Sequence, residues 1–233
     1  MKILIIQNGW SGQGISGGDK HLLDILQFWK SRLKPSLMLP YSGIRFLRHN
    51  YPEKIHGLDL IGSWELVTQT TLKNLWQIIL SYLQRTILSS IQLIISGRFY
   101  LVIASSHFLY DVLPLILTKS LKGSKLVVYV YHLVSFQNRS ESLRNRLSSS
   151  FELLSLKLVR TYADAIFTDN TKTFEELQKR GLKKEKIFLT SVGIRRPDYL
   201  RSGQAEFDLC FSGRLVKSKG VNDLVQILKG VKK

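Results

Sequence analysis

The chain has one cysteine, Cys210, so neither a disulfide framework nor a multi-cysteine zinc site can be assembled from it. Acid is scarce as well: 17 Asp and Glu stand against 34 Lys and Arg, a formal net charge of +17. Long apolar runs are missing. The N-terminal stretch Met1-Lys2-Ile3-Leu4-Ile5-Ile6-Gln7 holds at most six apolar residues in a row, too few to read as a signal peptide. The most apolar segment, Leu75 to Ile95, is interrupted by Gln77, Gln84, Arg85, Ser89, Ser90 and Gln92. That is too polar for the ~20 residues a hydrocarbon span requires. A cytoplasmic protein is the expectation, with peripheral placement at a membrane as the alternative.

The residues that are present describe a globular chain. Hydrophobic residues make up 44% and charged residues 22%, which excludes an intrinsically disordered protein despite the net charge. At 233 residues it is one large domain, or one domain and part of a second. Ten Lys and Arg and five Asp and Glu precede Arg98, leaving 24 and 12 for the remainder, so the basic excess sits mainly in the second part. Such an excess attracts polyanions: nucleic acid, anionic lipid headgroups or phosphorylated ligands. Nucleic acid is disfavoured, because the basic residues are not interleaved with aromatics and no nucleic-acid-binding motif is present.

Short aliphatic runs alternate with helical periodicity. Lys2–Gln7, Ser36–Leu39, Tyr100–Ala104, Leu126–Val130, Ala165–Thr168 and Lys186–Thr190 read as buried strands. Leu22, Ile25, Leu26 and Trp29 give the first helix one apolar face. Alternating β and α with short connections predicts a doubly wound α/β domain with a parallel sheet. Over Thr70–Gly97 the stripe Leu72, Leu75, Trp76, Ile79 and Leu83 predicts an amphipathic helix packed on the sheet. The alternative is a helix that touches a membrane surface or a lipid-like substrate. Thr173 and Glu176 have capping-box spacing and predict the start of a helix ending near Gly181.

Residues 1–190 form the predicted main domain, and residues 191–206 an aperiodic linker rich in Gly, Arg, Pro and Ser. From residue 207 the pattern restarts: Phe207–Phe211 reads as a strand, Gly213–Gly220 as a loop, and Val221, Leu224, Val225 and Leu228 as a helix face. One strand-loop-helix unit cannot bury its own apolar face, so residues 207–233 read as the truncated start of a second domain.

In doubly wound folds ligands bind at the carboxyl ends of the strands. The residues after the first strand include Gly12-Gln13-Gly14-Ile15-Ser16-Gly17, a literal G-x-G-x-x-G. Gly12 lies too far past the strand for a dinucleotide turn, and no acid ends the second strand, so a nicotinamide-dependent enzyme is the weaker alternative. Gly17 and Gly18 at the helix start still allow backbone amides to approach an anion or a sugar; a pure turn role is the other reading. The basic residues at Arg139–Arg160 read equally as a solvated face or as an anionic-membrane patch.

Ser16-Gly17-Gly18-Asp19-Lys20-His21, Ser105-Ser106-His107-Phe108, Thr168-Asp169-Asn170-Thr171 and Gly213-Arg214-Leu215-Val216-Lys217-Ser218-Lys219-Gly220 occur in that order. With them the chain resembles the family 4 glycosyltransferases of the GT-B fold, which have two Rossmann-like domains facing across a cleft. The resemblance implies an acceptor-side domain followed by the start of a donor-side one. It implies a retaining, metal-independent enzyme that moves a sugar from a nucleotide-activated donor to a saccharide or lipid-linked acceptor, with no cofactor. His132, after the Lys125–Val130 run, corresponds to the family histidine that contacts the donor sugar, although Leu133 replaces the usual acid. Gly17, Gly18 and His107 would then face the acceptor, and Arg214 and Lys219 the donor diphosphate. Two cations beside a helix N-terminus suit that last role, with solvated surface cations as the bland alternative. The family's donor-side glutamates have no counterpart before Lys233, so the chain by itself is expected to be inactive. A partner chain supplying that half, leaving this one as a non-catalytic acceptor-binding or scaffold subunit, is the alternative.

Overall fold

The computed structural model describes residues 2–10, 15–65, 75–133, 143–190 and 220–231. The chain divides into two units, Met1–Gly193 and Ile194–Lys233.

Four-residue aliphatic runs that are buried on both faces make the central strands. Strand β1 (Ile3–Ile6) is buried throughout and pairs in parallel with β2 (Ser36–Pro40) on one side and β4 (Leu101–Ala104) on the other. Strands β3 (Asp59–Ser63), β5 (Lys125–Tyr129), β6 (Ala165–Thr168) and β7 (Ile187–Leu189) complete a seven-stranded parallel sheet of order β3-β2-β1-β4-β5-β6-β7. The α/β doubly wound class follows directly. The period-2 alternation of β1 divides its side chains between two cores. Ile3 and Ile5 join Leu22, Leu26 and Leu47 on one face, while Leu4 and Ile6 join Val112, Leu115 and Val159 on the other.

Helices α1 (Gly17–Leu33), α2 (Tyr41–Asn50) and α3 (Pro52–Ile55) supply residues to the first core; α4 (Leu75–Ile95), α5 (Leu109–Lys122) and α6 (Leu143–Tyr162) supply the second. Helix α7 (Thr171–Lys179) packs on β6 and β7. In the second unit, α8 (Val221–Val231) leaves Val225, Ile227 and Leu228 exposed. The expected strand Phe207–Phe211 and the loop with Arg214 and Lys219 lie outside the described residues.

Three expectations change. The strand β3 was absent from the sequence reading: Asp59-Leu60-Ile61-Gly62-Ser63 is half-exposed, carries Asp and Gly, and pairs only at the sheet edge. The helix α7 is capped by Asn170 rather than by Thr173, because the Asn170 side-chain oxygen accepts from Thr173 N at 2.7 Å while its amide donates to Tyr131 O at 2.9 Å. Most consequential, α4 sits the other way round from the predicted packing. Trp76 and Leu83, assigned to the buried stripe, are exposed, whereas Gln84, Arg85 and Ser89 are buried. The polar side turns inward because it meets polar partners there: the Arg85 guanidinium donates to Asn8 O, and Gln92 Nε2 to Gly62 O at 2.8 Å.

Candidate functional site at the carboxyl edge of the sheet

The chain runs from β1 outward to β3, then crosses back to β4 and outward again, so β1 and β4 are the strands where the winding direction reverses. In doubly wound folds ligands gather at the carboxyl ends of such a pair. On the β1 side, Asn8 is fully buried and serves as a hub. Its N–H donates to Asp111 Oδ1 at 2.7 Å, its side-chain amide to Tyr110 O at 2.8 Å, and its Oδ1 accepts from Ser63 at 3.3 Å. Gly9 follows because nothing larger fits: a Cβ there would stand 2.7 Å from the Tyr110 hydroxyl.

Asp111 closes the β4 side. Its second oxygen accepts from Ser106 Oγ at 2.5 Å, and burial pushes its carboxyl up to about 7, against the pull of the Ser106 and Asn8 hydrogen bonds and of Arg85. Arg85 is 2% exposed, and burial pulls its guanidinium below the ordinary arginine range. This polar cluster went unread in the sequence, since Asn8, Arg85 and Asp111 sit in three unrelated segments with no shared motif.

His107 lies in the same β4–α5 loop, but its ring is 2% exposed and turned into the domain. Its Nε2 stands 2.8 Å from Glu152 Oε1 of α6, and Arg180 Nη1 lies 3.9 Å from the other carboxylate oxygen. His107 thus faces α6 rather than open solvent.

Helix α1 begins on the carboxyl edge of the sheet. Ser16 caps it, with Asp19 N donating to Ser16 Oγ at 3.2 Å and Ser16 N donating to Asp19 Oδ2 at 2.8 Å. Gln7 Nε2 donates to the other oxygen of Asp19 and ties this cap to the end of β1. Gly17 is exposed, and a Cβ there would meet nothing within 4 Å. Gly18 lies against Tyr131, whose ring would be 3.6 Å from a Cβ there. Tyr131 stacks on Tyr129 and takes the edge of His21 at 6.1 Å between centroids; burial first, then Tyr129, Asp169 and Asp19, push its hydroxyl well above the usual phenol range. The next residue, His132, is exposed. Gly17, Gly18 and His132 are therefore brought to one edge from strands β1 and β5, with His21 added to them.

No protein-family model matches the chain, and no curated protein matches it. Solved structures do. Anabaena Alr3699/HepE in complex with UDP superposes with a TM-score of 0.58 at 15% identity, covering 83% of this chain and 44% of that one. UDP-N-acetylglucosamine 2-epimerase from Rickettsia bellii gives 0.56 at 12% identity, covering 82% and 45%. The chain shares the α/β Rossmann-like fold of the matched part of these structures. Arabidopsis thaliana UGT89C1 complexed with UDP shares it at a TM-score of 0.51 and 10% identity, covering 84% of this chain and 50% of that one. The chain thus spans half or less of the length of these three GT-B-type structures. Among the described residues, no group of His, Cys, Asp and Glu is arranged to hold a metal ion.

Proposed function

We propose that this chain is the acceptor-side half, with the opening of the donor side, of a family 4 glycosyltransferase. The reaction is retaining and metal-independent, and moves a sugar from a nucleotide-activated donor to a saccharide or lipid-linked acceptor. The observation that carries the reading is the exposed Gly17 at the start of α1, on the same edge as Tyr131 and the exposed His132, in a fold shared with proteins solved with UDP and UDP-glucose.

In this reading the acceptor lies over Gly17 and Gly18, where helix amides donate to sugar hydroxyls. His132 contacts the donor sugar and supports departure of the nucleoside diphosphate. Arg214 and Lys219 meet the negative charge that grows on the leaving diphosphate, a role that electrostatics at a helix start performs without a metal. His107 acts at one remove: its pairing with Glu152 holds the β4–α5 loop that borders the acceptor. The remainder of the nucleotide pocket comes from a second Rossmann-like domain, in the same polypeptide or on a partner chain.

The test is a titration of the isotope-labelled chain with saccharides, followed through backbone amides. Shifts concentrated at Gly17, Gly18 and His132 support the assignment. Saccharide-induced shifts confined to the opposite, amino edge of the sheet contradict it.

A further inference from the structure

Helix α4 is inverted relative to an ordinary surface helix. Of its described side chains, the exposed ones are all apolar, led by Trp76, Leu80, Leu83, Ile87, Ile91 and Ile94. Steps of three and four residues align these six along one face. Exposure is substantial, from 78% at Trp76 to 46% at Ile94. Its buried side chains, Leu93 apart, are polar: Ser81, Gln84, Arg85, Thr86, Ser89 and Ser90. An uncharged apolar stripe running the length of a 21-residue helix is a surface built to be covered.

Charge around the stripe says by what. The segments 75–133 and 143–165, which carry α4, α5 and α6, contain only three acids. Asp111 and Glu152 are buried, and Asp164 is paired with Lys119 at 2.5 Å. The bases stand outside. Arg98 and Lys125 are exposed, Arg98 three residues past the carboxyl end of α4, and Lys122 reaches back to Leu93 O at 2.7 Å. A second copy of this chain, itself at a formal +17, would be opposed by net-charge repulsion. A bilayer rich in anionic headgroups accepts both parts, apolar side chains in the acyl boundary and bases among the phosphates.

We propose that the α4 face docks on an anionic lipid surface, lying on the bilayer rather than crossing it; no described helix is long and apolar enough to cross. This goes beyond the glycosyl-transfer reading and does not depend on it. The experiment is flotation of the 233-residue chain with vesicles of phosphatidylcholine alone or of phosphatidylcholine with phosphatidylglycerol, at moderate salt, alongside sedimentation of the chain without lipid. At least tenfold stronger association with the anionic vesicles is expected. Ile87→Glu should lower it tenfold or more while circular dichroism and melting midpoint stay as in the parent; Ile91→Gln serves if the first variant does not fold. Arg98→Glu with Lys125→Glu should weaken binding to anionic vesicles alone. Equal association with both vesicles, none with either, or parental binding by the folded α4 variants would overturn the proposal. So would a lipid-free dimer that Ile87→Glu dissolves, which would assign the stripe to a second copy.

Discussion

His107 Nε2 lies 2.8 Å from Glu152 Oε1 with both side chains sealed from solvent, which latches the loop after β4 onto α6 across 45 residues of sequence. Removing one member of such a buried pair leaves a buried polar group short of a hydrogen bond, typically at ~1–3 kcal/mol. Glu152→Ala should therefore lower unfolding free energy by about 3 kcal/mol in urea titration. Glu152→Gln keeps an acceptor for the ring and should cost about 1 kcal/mol. Equal effects of the two variants would mean that the pair does not carry the latch.

Two glycines on the same edge make opposite predictions. A methyl group at Gly9 would collide with the Tyr110 hydroxyl at 2.7 Å, so Gly9→Ala should destabilise by about 1–3 kcal/mol, and Tyr110→Phe in the same chain should recover part of it. At Gly17 there is open space, so Gly17→Ala should leave stability unchanged or raise it by roughly 0.4–1 kcal/mol. If a saccharide approaches that amide closely, the same change weakens saccharide binding without lowering the melting midpoint.

How far the sequence reveals this architecture depends on where each residue finds its partner. Strands β1, β4, β5 and β6 are legible within about a residue because burial on both faces writes them as unbroken aliphatic runs. Edge strand β3 lacks that constraint, and its Asp59 is used to accept from Ser36 Oγ at 2.7 Å. Periodicity identifies α4 as two-faced but cannot say which face the domain covers. That is decided by Asn8, 77 positions before Arg85. The same distance hides the polar hub, where Asn8 and Asp111 meet 103 residues apart. The place of Gly17, Gly18 and His132 on this edge is legible because each follows a strand end.

Asp111 gives a pH signature. Its buried carboxyl holds a proton up to about 7, whereas the unfolded chain releases it near the ordinary 3.8. The folded state binds more protons in that interval, so this contribution is complete below about pH 4 and is lost as pH rises through 7. The loss is on the order of 4 kcal/mol. Asp111→Asn should flatten urea stability between pH 4 and 7; an unchanged slope would show that the carboxyl is ionised throughout.

The most direct test of the account is release of nucleoside diphosphate from a panel of nucleotide sugars, with and without saccharide or lipid-linked acceptors. It compares this chain alone with the same chain joined to, or mixed with, a donor-side domain. The expected results are no turnover alone, turnover on complementation, and a fall in kcat of roughly 10²-fold or more for His132→Ala at an unchanged melting midpoint. Turnover by the 233-residue chain alone, or a complemented His132→Ala enzyme working at the parental rate, would contradict the account.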